Sequence, residues 1–234
     1  MKKIVVSLGG SVLVPSLESN NISQYASVLR RIAGKCRLFI VVGGGGEARR
    51  YIQVARDLGV DEATADEFGI LVTRLNARLL VAGLGDAAYP RVAESYTEAR
   101  EFAETGKIVV MGGITPAQTT DAVSAVLAES VGADLLINAT SVNGIYSADP
   151  KTNSGAVRYE RLTPHELLDI ITGCRMNAGA NTVLDIVAGK VIERSGIPLL
   201  VLDGRDPENL YRVIVEGTAL GTIVCEEDSN PLPA

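Results

Sequence analysis

The chain has 234 residues, a formal net charge of −6, 47% hydrophobic residues and only 4% aromatic ones. That length holds one large α/β domain or a domain of two halves, with a core built mainly from Val, Ile, Leu and Ala. The acidic balance, with no Lys/Arg run longer than two, excludes a nucleic-acid or anionic-membrane surface as the organising feature.

Residues 3–8 are a buried-strand candidate that ends in Gly9-Gly10-Ser11. Two lysines before this apolar run imitate a signal peptide, but glycines interrupt it and no small-residue cleavage site follows. Residues 12–15 lead through a polar link to a helix expected over 23–33. A second strand over 38–42 ends in four glycines, 43–46, followed by a helix with Ala48, Ile52, Ala55 and Leu58 on one side. Gly43, Gly45 and Ala48 satisfy G-x-G-x-x-A. The dinucleotide fingerprint, however, needs a second strand ending in an acid about 20 residues on, and residues 59–63 carry acids with no apolar strand before them. No glycine corner continues into Gly-Lys-Ser/Thr, so there is no Walker A loop either.

Residues 67–82 read as a long helix with Phe68, Leu71, Leu75, Leu79 and Ala82 at helical spacing. Asp66 stands at its start, where an aspartate ordinarily caps the first turn. A shorter helix is expected over 97–105 and a third strand over 108–111, after which Gly112-Gly113 lets the backbone turn sharply. Thr119, Thr120 and Asp121 precede an apolar helix built on Val123, Val126, Leu127 and Val131 and ended by Gly132. Either these three residues merely cap the helix, or its N–H groups and hydroxyls form an anion site beyond the strand end.

Residues 135–138 give another strand, and 140–150 a turn-rich segment with Asn-Gly at its centre. Thr163-Pro164-His165-Glu166 is a capping box with proline at the first helical position, which puts the single histidine in a helix's first turn rather than in catalysis. A polar link over 173–181, a helix over 182–194, a strand over 199–202, a helix over 207–215 and a last edge strand over 222–224 complete the pattern. The proline-rich stretch 226–234 is expected to be a disordered tail.

Alternating strands and helices predict an α/β three-layer sandwich, a mostly parallel central sheet covered by helices on both faces. Ligands of such sheets bind past the carboxyl ends of the strands, where the glycine corners would converge. Several N–H-rich turns suit phosphate oxygens. Acyl hydrolysis does not fit, because one His and no nucleophile elbow leave no triad to assemble. Cys36, Cys174 and Cys225 are odd in number, widely spaced and without a C-x-x-C, which argues against a disulfide framework or a zinc site and suits a reducing cytoplasm. No metal-ligand set is apparent, and no apolar run approaches the length needed to span a bilayer.

Five ordered motifs carry a resemblance. They are S-L-G-G-S at 7–11, V-V-G-G-G at 41–45 with Arg49 after it, G-I-L-V-T-R-L-N-A at 69–77, Gly112-Gly113 through T-T-D-A at 119–122, and V-N-G-I-Y-S-A-D-P at 142–150. In this order, over roughly residues 1–224, the chain resembles the amino-acid-kinase fold family and, within it, the archaeal uridylate (UMP) kinases.

The resemblance implies one domain with an acceptor half over about 1–138 and a donor half over about 139–224. It implies that Ser7, Leu8, Gly9, Gly10 and Ser11, with Gly45 and Arg49, serve the ATP phosphates, and that Thr140, Ser141, Tyr146 and Asp149 line the ATP nucleoside site. It assigns Gly44 and Asp66 to UMP, the carboxylate accepting from the ribose hydroxyls. The loop of Ile114, Thr115, Pro116, Ala117, Gln118, Thr119 and Thr120 would hold uracil and the acceptor phosphate. ATP as co-substrate, Mg²⁺ and a homo-hexamer built from dimers are further implications.

Departures are also visible. Ser7 stands where many members have Lys, Gly46 where Lys is frequent, Ala117-Gln118 where Gly-His is frequent and Asn143 where Asp is usual. In the expected reaction the acceptor is a phosphate monoester with a second pKa of about 6, already an anionic nucleophile at neutral pH, so no general base is required. Arg49 and the amides of Gly9, Gly10, Gly44 and Gly45 are expected to supply the protein's share of charge neutralisation, with Arg49, Gly9, Gly10 and Ser11 as the catalytic set. Two alternatives stay open at this level: another phosphate or carboxylate acceptor, or a uridine-nucleotide sensor that binds without turnover.

Overall fold

The computed structural model describes residues 1–148, 150, 152–174, 184–226 and 231–232. Among them, β1 (Lys3–Leu8) lies between β2 (Arg37–Val42) and β4 (Leu135–Thr140), parallel to both. β3 (Val109–Met111) extends the sheet beyond β2, and β6 (Leu199–Asp203) extends it beyond β4, again in parallel. β7 (Thr222–Val224) runs antiparallel to β6 and carries β5 (Arg161–Leu162) on its outer side. The order is therefore β3-β2-β1-β4-β6-β7-β5. The strand over 222–224, expected at an edge, is internal, because a two-residue partner is too short to leave a periodicity in the sequence.

Alternation along β1 and β2 feeds both faces. Ile4, Val6, Leu8, Leu38, Ile40 and Val42 join one core with residues of α2 (Ile22–Ile32), α4 (Glu62–Leu84) and α9 (Glu208–Glu216). Val5, Phe39 and Val41 join the other with α5 (Tyr96–Ala103), α6 (Thr120–Val131), α7 (Pro164–Cys174) and α8 (Ile186–Ser195). Strands apolar on both sides are what a parallel sheet between two helical layers requires. The short α1 (Gly10–Leu13) follows β1 directly, and α3 (Gly45–Asp57) packs on α4 and α1.

α4 differs most from expectation. It begins at Glu62, capped by Asp61, whose side chain accepts from the Thr64 N–H. Asp66 consequently lies inside the helix and caps nothing. The buried residues are Ala65, Gly69, Val72, Thr73, Asn76, Ala77, Leu80, Val81 and Leu84, with the small or polar ones concentrated in the N-terminal part of the helix, up to Ala77. The conspicuous apolar stripe Phe68, Leu71, Leu75 and Leu79 is 37–60% exposed, and Leu58, which follows α3, is exposed as well. By length and composition α4 and the turn after it, residues 62–87, would also suit a membrane span, contrary to the sequence expectation, because Ala, Gly, Leu and Val spread across the helix raise the mean hydropathy without one continuous run. Here α4 is packed against α3, α2, β2 and β3.

The capping box forms. Thr163 N–H donates to Glu166 Oε2 at 2.8 Å and Glu166 N–H to Thr163 Oγ1 at 3.2 Å. His165 is exposed, and its pKa is raised by its hydrogen bond to Glu193 and by Asp169. α8 starts at Ile186 on an Asp185 cap, later than the expected 182, and the polar link expected over 173–181 lies outside the described residues beyond Cys174. In the tail, Pro231 and Leu232 are buried, Leu232 within the core on the α2 and α9 side, so an apolar contact seats part of a stretch whose composition alone predicted disorder.

Candidate active site

Three glycine corners meet at the carboxyl ends of β1, β2 and β3. Gly9 N–H donates to Ala139 O at 3.0 Å, and Gly43 N–H donates to Leu8 O at 2.9 Å. A Cβ on Gly10 would stand 2.2 Å from Gly45 N and 2.5 Å from Gly43 O, so the first two corners touch backbone to backbone. A Cβ on Gly112 would stand 2.6 Å from Thr73 Oγ1 and 2.9 Å from Arg74 N, which presses α4 against the third corner.

These corners bound a cavity of about 370 Å³. Of the residues expected to serve the acceptor, Gly44, Asp66, Thr115, Gln118, Thr119 and Thr120 line it, and Ile114, Pro116 and Ala117 belong to the same loop without lining it. Of those expected to serve the donor phosphates, Gly10, Ser11, Gly45 and Arg49 line it. Ser7 and Leu8 are buried on β1, and Gly9 follows them beside Thr140, with the Thr140 Cα 3.9 Å from where a Gly9 Cβ would be. Thr140, Ser141 and Tyr146 lie outside the cavity, and the Tyr146 hydroxyl donates to Asn143 Oδ1. Asp149 lies outside the described residues.

Several contacts tune this cleft. Asp66 Oδ2 accepts from Ala117 N–H at 2.8 Å, and Ala117 holds φ at 64°, a left-handed conformation costly for an L-residue other than glycine. The Thr119 hydroxyl caps α6 by accepting from Ala122 N–H and also donates to Asp185 Oδ2. Asp185 Oδ1 accepts the Val187 and Ala188 amides, so one carboxylate ties the starts of α6 and α8. Ser7 Oγ donates to Asp121 Oδ1 at 2.8 Å. Burial pushes the Asp121 pKa up to about 6, opposed by the Ser7 bond and reinforced by Asp185. Arg49 projects from the first turns of α3 into the cleft, exposed and in no ion pair among the described residues.

Sequence reasoning assigned no role to Thr73, Arg74, Asn76 or Asp185, and gave Asp121 only as a helix cap or part of an anion site. The first three were visible as a T-R-x-N motif and Asp121 as part of T-T-D, but nothing in the spacing said what they touch. Asp185 had no signal, since the helix it caps was expected to start earlier.

The cleft offers amides, threonine hydroxyls and one guanidinium at the ends of parallel strands, beside the point where chain order reverses between β1 and β4. Such a fold and site define a phosphate-handling α/β protein. The chain matches the amino acid kinase family over residues 2–203 and belongs to that family. It is 84% identical to the uridylate kinase of Methanoculleus marisnigri over the full length of both chains. Among solved structures it is similar to uridylate kinase from Archaeoglobus fulgidus, with 45% identity, a TM-score of 0.86, and coverage of 96% of this chain and 100% of that one. It is also similar to UMP kinase from Bacillus anthracis, with 25% identity, a TM-score of 0.80, and coverage of 100% and 99%.

Proposed function

We propose that this chain transfers the γ-phosphoryl group of ATP to UMP, giving UDP and ADP, as a cytoplasmic step of pyrimidine nucleotide synthesis. The observation that carries this reading is the meeting of separate glycine corners around one cleft that also holds Asp66 and Arg49, in a chain alike over its whole length to uridylate kinases.

UMP occupies the acceptor half, about 1–138, with its ribose on Asp66 and its base and phosphate along Ile114 to Thr120. ATP lies over the donor half, about 139–224, its phosphates reaching Gly9, Gly10, Ser11, Gly45 and Arg49. Thr140, Ser141, Tyr146 and Asp149 take the nucleoside. The UMP phosphate is anionic at neutral pH and attacks unaided by a base. Arg49 and the corner amides hold the two phosphates in line and stabilise the charge on the moving group.

Mg²⁺, when bound, neutralises charge on the phosphate oxygens. Substrate phosphates usually carry much of this ion's coordination in phosphoryl transfer. Thr115, Gln118 and Thr119 bring hydroxyl and amide groups to a cavity that Ala48, Ile52 and Ile70 also line.

The chain also self-associates in this reading, as a hexamer assembled from dimers. Support comes from exposed apolar side chains on adjoining helices, Tyr51, Val54 and Leu58 on α3 and its end, and Phe68, Leu71, Leu75 and Leu79 on α4.

A coupled ADP-release assay with UMP, CMP and dUMP, with and without Mg²⁺, tests the reaction. UMP should be preferred, and dUMP should fall behind because Asp66 loses a hydroxyl partner. Tight UMP binding with no ADP release would instead indicate a sensor, and preference for another acceptor would replace UMP.

A further inference from the structure

We infer that Asn76 and Arg74 are positioning residues for phosphoryl transfer, Asn76 aiming the amides of Gly44 and Gly45 from behind by holding the carbonyl at the other end of each peptide plane, and Arg74 fixing the third corner through the Gly113 carbonyl. Asn76 is buried on α4, and its Nδ2 donates to Gly43 O at 3.1 Å and to Gly44 O at 3.3 Å. A trans peptide is planar with its C=O and N–H pointing opposite ways. The Gly43 carbonyl shares its plane with Gly44 N–H, and the Gly44 carbonyl with Gly45 N–H. Fixing both carbonyls on Asn76 therefore turns both N–H groups away from it.

Arg74 fixes the third corner. Its Nε donates to Gly113 O at 3.2 Å while Nη1 is anchored on Glu94 at 2.7 Å. Thr73 contributes differently. Its Oγ1 accepts from Gly113 N–H at 2.7 Å and donates to Ile70 O at 2.6 Å, so it anchors the corner while occupying that amide itself.

The need for such anchors follows from the glycines. The Gly43 N–H is held by Leu8 O and the Gly44 carbonyl also takes the Ala48 N–H at 3.4 Å as the first bond of α3, but the Gly43 carbonyl, in a run without side chains, is held by Asn76. A corner that grips an anion must keep its amides aimed before the anion arrives. The T-R-x-N segment of one rigid helix supplies that restraint to two corners at once.

The inference rests on the UMP kinase reading, and the wild-type protein separates the two: if it releases no ADP with UMP, that reading fails whatever the variants do. With an active wild type, Asn76→Ala should lower kcat at least 10-fold. It should also shrink the affinity advantage of UMP over uridine, measured by calorimetry, about 10-fold, while uridine affinity stays within threefold. A merely structural loss would weaken uridine and UMP alike. Arg74→Met, on a half-buried side chain, should raise KM for UMP about 10-fold with KM for ATP within twofold, and Arg74→Lys should recover most of the loss. Should Asn76→Ala fail to fold, the Arg74 pair decides. Kinetics within twofold of wild type in the folded variants, or equal losses for uridine and UMP, would overturn the inference.

Discussion

Ser7 Oγ on β1 donates to Asp121 Oδ1 at the start of α6 across 2.8 Å. Desolvation of the half-buried Asp121 carboxyl, reinforced by Asp185, pushes its pKa up to about 6. The folded chain then binds this proton more tightly than the unfolded chain, whose carboxyl titrates near 3.9. The group's contribution to stability is therefore full below about pH 4 and is lost as pH rises through about 6. Asp121→Asn removes the charge while keeping an oxygen for Ser7. Urea unfolding should show it stabilised by on the order of 2 kcal/mol at pH 8, with the gain vanishing near pH 4. An equal difference at both pH values would contradict a titrating Asp121.

Arg49 reaches the cleft from α3 with its guanidinium in no ion pair among the described residues. If it neutralises the moving phosphoryl group, Arg49→Ala should reduce kcat roughly 100-fold, the scale of losing one charge-stabilising donor, with little change in thermal stability. Turnover within a few-fold of wild type would remove Arg49 from that role.

Ala117 holds φ at 64° while its N–H bonds Asp66. A left-handed L-residue costs about 1–2 kcal/mol, and glycine gives back about 0.4–1 kcal/mol through the freer unfolded chain. Ala117→Gly should therefore raise stability by roughly 0.5–1 kcal/mol, read from chemical denaturation. A loss of stability would mean that the loop is not strained there.

The exposed side chains of Leu71 and Leu75 on α4 carry the self-association reading. The double variant Leu71→Glu/Leu75→Glu should sediment as a smaller species than wild type at the same concentration, because charges in a desolvated contact are costly. An unchanged sedimentation coefficient would move the interface elsewhere.

Much of this was legible in the sequence because two signals were strong. Continuous apolar runs marked the strands, and glycines marked their carboxyl ends, so the convergence of Gly10, Gly44 and Gly45 on one rim followed from the rule for parallel sheets. α4 misled because its apolar positions Phe68, Leu71, Leu75 and Leu79 look like a core stripe, whereas the face against the corners needs Gly69, Thr73 and Asn76, small or hydrogen-bonding residues that hydrophobic periodicity does not count. Asp66 looked like a cap for the same reason, the true start at Glu62 lying in a polar stretch. The Ser7 and Asp121 pair joins residues 114 positions apart, and no local pattern reports a contact of that span.

The most direct test of the account is a crystal structure with UMP and a non-hydrolysable ATP analogue bound together. The account predicts both phosphate groups in the one cleft, with oxygens about 3 Å from the amides of Gly10, Gly44 and Gly45, the Arg49 guanidinium beside the bridging phosphoryl, and the UMP ribose on Asp66. Phosphates bound away from those corners, or corner amides turned from them, would contradict it.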